Sequence, residues 1–202
     1  FFNMVAHEFR SPLTAIKGYA SFLQESKNLS KDEIRFAGNI NHSAERLVVL
    51  VSDFLEISRL QAGKMKIVKK DLDLRDVLVQ ITEDLKVLAD KKGLKLVYER
   101  GSKPIPINTD PARMTQVLTN IVTNAGKYTE SGAVELECTS IPGEVTVRVK
   151  DTGMGISAED QQKLFAPFTR VGGVDSTSIK GTGLGMWITK QLVALLKGTI
   201  GV

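Results

Sequence analysis

Lys150-Asp151-Thr152-Gly153-Met154-Gly155 closes a strand-like alternating run, and Gly181-Thr182-Gly183-Leu184-Gly185 leads into a helix-like one. These two glycine-rich junctions set the character of the last quarter of the chain. Of 17 glycines in 202 residues, four lie in residues 1–100 and nine in residues 151–202. Turns need glycine for steric reasons alone, so a single GxG decides little. The second stretch meets more of the demands of phosphate binding: small residues admit a close ligand, and N–H groups at a helix N-terminus favour an anion. No GxxxxGK[ST] occurs, which excludes a Walker loop. Gly181-x-Gly183-x-Gly185 lacks the final spacing of the dinucleotide fingerprint and lies at the end of the chain. Asp151, at a strand terminus, can accept a hydrogen bond from an exocyclic amine, which would select adenine over guanine.

Working outward, Val134, Leu136 and Cys138, then Val145, Val147 and Val149, alternate with polar residues around Pro142-Gly143 and predict a hairpin. Asp110-Pro111 opens a helix running to about Tyr128. Leu94–Tyr98 and Ile105–Asn108 read as strands, Leu72–Lys92 as a helix closed by Gly93, and Met65–Lys69 as a short strand. A short helix starts at Ser157, and Phe165 and Phe168 flanking Pro167 read as core anchors for the loop that follows. A Gly/Ser/Thr-rich loop covers 172–183, and a last helix runs from about Gly185 to Lys197. Interleaved strands and helices with an antiparallel hairpin make an α/β sandwich with a mixed sheet.

Residues 1–61 have a different period. Phe2, Val5, Phe9, Leu13, Ile16 and Ala20 recur at helical spacing up to a polar break at Glu25–Ser30. Ser30 with Glu33 forms a capping box. From there Ile34, Ala37, Ile40, Ala44, Leu47, Val51, Phe54 and Ser58 follow a near-heptad seam. A helical hairpin with so wide an apolar stripe cannot bury itself, so a second copy completing a four-helix bundle is expected. The chain therefore divides near Gly63, into residues 1–62 and 63–202.

Composition agrees with a folded globular chain: 42% hydrophobic, 25% charged, and 27 Lys+Arg against 23 Asp+Glu. The longest aliphatic run, Leu47–Val51, is far short of the ~20 residues that span a bilayer. One cysteine, Cys138, makes no internal disulfide and suits a reducing compartment. The net charge of +4 is modest, and the clusters Lys64/Lys66/Lys69/Lys70 and Lys91/Lys92/Lys95 lack interleaved aromatics, so nucleic acid is not an expected partner.

Two further constellations bear chemistry. His7 is followed by Glu8 and, one turn on, by Pro12, which cannot donate to the carbonyl of Glu8 and interrupts the helix ladder beside a titratable residue. Glu8 can hold the imidazole tautomer or accept its proton, leaving the other ring nitrogen as a nucleophile. His42 has no such company and reads as structural. Gln116, Asn120 and Asn124, four residues apart, share a helix face with Lys127. That face is either a solvated amide stripe or a place where amide oxygens meet a hard cation while Lys127 and Tyr128 meet phosphate and a sugar or base.

Together these segments resemble one family. His7-Glu8-Phe9-Arg10-Ser11-Pro12-Leu13-Thr14 resembles the H box of the sensor histidine kinases of two-component systems, and residues 120–128 resemble their N box. Asp151–Gly155 resembles the G1 box, Phe165–Phe168 the F box, and Gly181–Gly185 the G2 box. The resemblance spans essentially the whole chain, with five motifs in family order. It implies a dimeric helical-hairpin domain followed by a Bergerat-type ATP-binding sandwich, a mixed sheet with helices on one face. It also implies that His7 is the phosphoacceptor, attacking the γ-phosphate through Nε2, with Glu8 as the base beside it. By the same resemblance Asn124 and Asn120 would hold Mg²⁺, Lys127 would contact phosphate, and Tyr128 the ribose side. Asp151 would bond the adenine amine, with Gly153 and Gly155 shaping that wall. Arg170 would reach the γ-phosphate, and Gly181, Thr182, Gly183, Leu184 and Gly185 would close over the phosphates.

Ser11 departs from the family, which commonly has Thr or Asn there; its hydroxyl would orient a water in dephosphorylating the partner. Gly126 stands where a larger residue is frequent, at a helix cost of about 1 kcal/mol relative to Ala. The implied activity is ATP-dependent autophosphorylation of His7 and transfer to an aspartate of a response-regulator receiver domain. The alternatives are a non-catalytic dimerising ATP-sensing module, and an ATPase of the wider chaperone and topoisomerase group, which would not need the His7 hairpin. With His7 six residues from the start and the family's last strand only beginning at Val202, the chain is expected to be the cytoplasmic core of a longer sensor, with no membrane contact of its own.

Overall fold

The computed structural model describes residues 2–26, 28–169 and 181–202, with side chains from Phe9 onward except Arg10. The chain divides into two compact units, Phe1–Met65 and Lys66–Val202. None of the described helices is long and apolar enough to cross a membrane.

The first unit is a pair of helices, α1 (Phe2–Glu25) and α2 (Lys31–Gln61). Pro12 lies inside α1 without ending it. Ser30 caps α2 reciprocally: its Oγ accepts the Glu33 N–H at 3.3 Å and its own N–H donates to Glu33 Oε2 at 2.8 Å. The helices run antiparallel, since Lys17 pairs with Glu45 at 2.9 Å while Asn41 donates to both Ser21 and Gln24. Small side chains let them close. Ala20, Ala37 and Ala44 are buried at the contact, with Leu13 and Leu55. One partner helix covers only part of the near-heptad seam, so Phe9, Tyr19, Phe22, Phe36 and Phe54 each stay more than half exposed.

The second unit is built on β1 (Lys70–Asp73), α3 (Leu74–Lys91), β2 (Leu94–Tyr98), β3 (Pro106–Thr109) and α4 (Pro111–Tyr128), followed by β4 (Gly132–Ile141), β5 (Glu144–Asp151), α5 (Ala158–Lys163) and α6 (Gly185–Leu195). β4 is central, parallel to β2 and antiparallel to β5, which makes the sheet mixed. β1 and β3 form a separate antiparallel ribbon. Alternation decides the faces. Val134 and Leu136 of β4 point into a core with Leu74, Leu78 and Ile81 of α3 and Leu118, Val122 and Ala125 of α4. The opposite sheet face is polar, with Arg148 reaching its cross-strand partner Glu137 at 3.4 Å.

Two boundaries differ from the sequence expectation for one reason. The first strand lies at Lys70–Asp73 and not at Met65–Lys69, and the helix after it begins at Leu74 and not at Leu72. Asp73 decides both. Its Oδ1 accepts the N–H of Arg75, capping α3, and the N–H of Ile105. The register that results pairs Leu72 with Ile107, both packed against the core. Arg75, almost wholly buried, binds both carboxylate oxygens of Asp73 and donates from Nη1 to the Gly101 carbonyl at 2.6 Å.

Hydrogen bonds from the Arg75 side chain, aided by the backbone N–H groups of Arg75 and Ile105, outweigh desolvation and hold the Asp73 carboxyl far below the usual carboxylate range. A depressed folded value stabilises above the unfolded pKa and loses that contribution as pH falls toward the folded one. Asp73→Asn is therefore expected to lower the melting temperature by several degrees at neutral pH. The gap to wild type should stay flat above about pH 5 and narrow below about pH 4, as read by thermal melts across pH. Leu78, with no exposed surface, sits at the centre of the core; Leu78→Ala should cost about 3 kcal/mol in denaturant unfolding.

Candidate functional site

Within the second unit, α4, the 151–155 turn and the 181–185 segment converge. α4 is capped by Asp110, whose Oδ1 accepts the Arg113 N–H at 3.1 Å and Oδ2 the Val68 N–H at 2.8 Å. Burial raises the Asp110 pKa, but these backbone donors and that of Ala112 outweigh it and leave the carboxyl below its ordinary value. Val117, Leu118, Val122 and Ala125 go into the protein, and this turns the amide face the other way.

That face is not uniform. Gln116 accepts a hydrogen bond from Arg113 at 2.8 Å. Asn120 donates through Nδ2 to Thr189 Oγ1 at 2.7 Å, with the Met186 sulfur at 3.8 Å, and so ties α4 to α6. Asn124 is half-buried, and among the described residues its amide makes no hydrogen bond. Lys127 places its ammonium 5.1 Å from the centre of the Tyr128 ring. A Cβ on Gly181 would come within 2.7 Å of the Lys127 Nζ.

Backbone closeness explains the glycines. A Cβ on Gly153 would stand 2.5 Å from the Tyr128 carbonyl oxygen and 2.8 Å from Asp151 Oδ1. That carboxylate already accepts the Gly153 N–H at 2.9 Å, so the turn and the carboxylate define each other; Oδ2 takes no hydrogen bond among the described residues. Gly155 has φ +71°, a left-handed turn suited to glycine. Gly183, at φ +74°, lies so close to Phe168 that a Cβ would sit 2.9 Å from its carbonyl carbon. At Gly185 a Cβ would meet Asn120 Oδ1 at 2.9 Å. Thr182 Oγ1 accepts the Leu184 N–H at 3.2 Å, and buried Leu184 opens α6 without a side-chain cap of its own.

Of the phenylalanines expected to anchor the core, Phe165 is half-buried under the Lys190 ammonium at 5.4 Å. Phe168 is 72% exposed. It serves through its backbone, at φ +59° against Gly183, and not through its ring. His7 and Glu8 lie on α1, where their side chains are outside the described residues; Ser11 is exposed on the same helix. Arg170 and most of the 172–183 loop also lie outside the described residues.

The structure adds residues that the sequence reading passed over. Lys92 reaches the C-terminal end of α4, donating to the carbonyls of Gly126 at 2.7 Å and Thr129 at 3.2 Å. No periodicity signals a contact across 34 residues. Thr152 Oγ1 accepts the Ala133 N–H at 3.1 Å and donates to the Ser131 carbonyl at 3.2 Å, binding the 151–155 turn to β4. Thr189 was within reach of the sequence, four residues after Gly185 on the same helix face.

Comparison with known proteins meets this geometry from outside. Residues 1–63 match the His Kinase A (phospho-acceptor) domain, and residues 109–202 the histidine kinase-, DNA gyrase B- and HSP90-like ATPase. The chain is 34% identical over 203 aligned residues to sensor histidine kinase RcsC of Escherichia coli K12, covering all of this chain and 21% of that protein. It is 34% identical over 208 residues to sensor protein GacS of Pseudomonas syringae pv. syringae, covering all of this chain and 23% of that one. The chain thus spans about a fifth of the length of these curated relatives. Among solved structures, full-length ShkA in complex with AMPPNP aligns with TM-score 0.80 at 31% identity, over 99% of this chain and 42% of that one. The catalytic domain of histidine kinase ThkA aligns with TM-score 0.56 at 25% identity, over 65% of this chain and 82% of that one. With a phospho-acceptor helix pair and a sandwich whose glycine turns meet an amide-bearing helix, the chain belongs to the sensor histidine kinases of two-component systems.

Proposed function

We propose that the chain is an ATP-dependent protein-histidine kinase core that phosphorylates its own His7 and passes the phosphoryl group to an aspartate of a response-regulator receiver domain. The observation that carries the reading is the meeting of Asn120, Lys127, Gly153, Gly181 and Gly185 at one place, where close backbone approach and a helix N-terminus suit a nucleotide's phosphates. Residues 1–62 would dimerise and carry the phosphoacceptor, and residues 63–202 would bind ATP. The exposed aromatic and aliphatic stripe of the helix pair is the surface a second copy would cover. A compartment that holds both ATP and the receiver is required, which is the cytoplasm.

Asp151, with its second oxygen unbonded among the described residues, would accept the adenine amine at the wall made by Gly153 and Gly155. Tyr128 would border the ribose. Lys127, and Arg170 beyond the described residues, would bring positive charge to the phosphates, with Thr182, Gly183 and Leu184 in the segment that closes over them. The donor set also suits Mg²⁺. No cluster of three His, Cys, Asp or Glu able to hold a metal occurs among the described residues. The amide oxygens of Asn124 and Asn120 are hard ligands of the kind Mg²⁺ takes alongside phosphate oxygens and water. When bound there, Mg²⁺ would neutralise phosphate charge and hold the chain of phosphates in place.

In the transfer, His7 Nε2 would form a bond to the γ-phosphorus as the bond to the β–γ bridging oxygen breaks, releasing ADP. Glu8 would accept the proton from the other ring nitrogen. Such chemistry asks mainly for positioning and charge neutralisation. Ser11, one turn beyond His7, would orient water for dephosphorylating the receiver.

Incubation with γ-labelled ATP and Mg²⁺ should give a label that is acid-labile and base-stable, absent from His7→Ala while ATP binding persists. Label surviving in His7→Ala would remove the phosphoacceptor assignment, and binding without any label would favour a nucleotide-sensing module. Asp151→Asn should weaken ATP binding by at least about tenfold, the cost of losing a charged acceptor, as measured by titration calorimetry.

A further inference from the structure

Thr189 is 2% exposed, and its hydroxyl faces Asn120 across the contact between α6 and α4. An asparagine amide has two nearly isosteric orientations with opposite chemistry: one presents an oxygen, the other two N–H donors. One group on α6 decides between them, since the Thr189 hydroxyl can donate as well as accept and suits either orientation. The Met186 thioether is an acceptor only, and at 3.8 Å it suits the NH₂ and not the oxygen. The Thr189 hydroxyl accepts the same NH₂ at the shorter distance of 2.7 Å. Met186 and Thr189 are three residues apart and so lie on one face of α6. With both acceptors on the NH₂ side, Asn120 Oδ1 is left beside Gly185, the first residue of α6, where only the absence of a Cβ leaves it room.

We propose that Thr189 is a positioning residue: with the Met186 sulfur setting the sense of the amide, its hydroxyl holds the Asn120 NH₂ and keeps the amide oxygen presented to a divalent cation at the nucleotide phosphates. The inference rests on the nucleotide reading given above and adds to it a selector for the metal-bound form of the nucleotide. A flipped Asn120 would offer N–H groups to the cation and repel it, while still being able to donate to bare phosphate oxygens. The signature is thus a change in how much Mg²⁺ strengthens nucleotide binding, and not in nucleotide binding as such.

The test measures affinity of the whole chain for a non-hydrolysable ATP analogue, with Mg²⁺ and with EDTA, by titration calorimetry. Thr189→Val keeps the branched shape and removes the hydroxyl. It should weaken binding about tenfold in Mg²⁺, the low end for loss of an outer partner of a metal ligand, and change it less than about twofold in EDTA. Thr189→Ser restores the hydroxyl and should match wild type in both buffers. Equal weakening with and without Mg²⁺, no change in either, or a Thr189→Ser variant as impaired as Thr189→Val would each overturn the proposal. If Thr189→Val does not melt cooperatively, Thr189→Ala carries the same expectation. A wild-type chain that binds no nucleotide in either buffer overturns the nucleotide reading itself, an outcome distinct from a wild type that binds while Thr189→Val behaves like it.

Discussion

α4 has to serve two surroundings at once, and the second unit is arranged around that demand. Val117, Leu118, Val122 and Ala125 must leave water, and α3 and the inner face of the sheet are the apolar surfaces available. Once they are buried, the 3.6-residue period leaves no freedom: Asn120, Asn124 and Lys127 face away from the core. There Asn120 meets the first two turns of α6, through Gly185, Met186 and Thr189, and Lys127 lies beside Gly181. The 151–155 turn follows β5, and residues 181–185 precede α6. The helix N-terminus carries unpaired N–H groups and both glycine-bearing segments admit close approach, so burial of one face of α4 brings its amides beside accessible backbone.

The polar anchors around α4 keep that geometry from slipping. Asp110 holds its first turn and the segment at Val68 together, and Lys92 gathers carbonyls at its last turn. A cation at a helix C-terminus meets the negative end of the dipole, so Lys92 is well placed electrically as well as geometrically. Asp73 and Arg75 perform the corresponding task for α3 and the 101–105 loop. Each anchor joins elements distant in sequence through a charged group bonded to backbone, a stronger link than a neutral hydrogen bond.

Much of the fold was legible because its signals are local. The capping box at Ser30, the Asp110-Pro111 start of α4 and the turn at Pro142-Gly143 each depend on a few adjacent residues, and the elements stand where those residues indicate. The β1–α3 boundary was misplaced because Asp73 takes a partner at Ile105, which periodicity near residue 72 cannot reveal. The role expected for Phe168 failed for a related reason. Hydrophobicity says that a ring should be buried, but this backbone turns left-handed to reach Gly183 and leaves the ring outside.

At the site, helical spacing alone placed Asn120, Asn124 and Lys127 on one face, and residue type alone marked Gly153, Gly155, Gly183 and Gly185 as backbone-permissive. Period and backbone sterics are properties of the chain's immediate neighbourhood, so sequence suffices for them. Which glycine stands against which side chain, and which way the Asn120 amide turns, belong to the tertiary structure. Those facts depend on α6 docking against α4 some 65 residues away in the chain, where Met186 and Thr189 supply acceptors to one end of the amide. Hydrogen bonds fall off within a fraction of an ångström, and only the packed protein sets distances that finely.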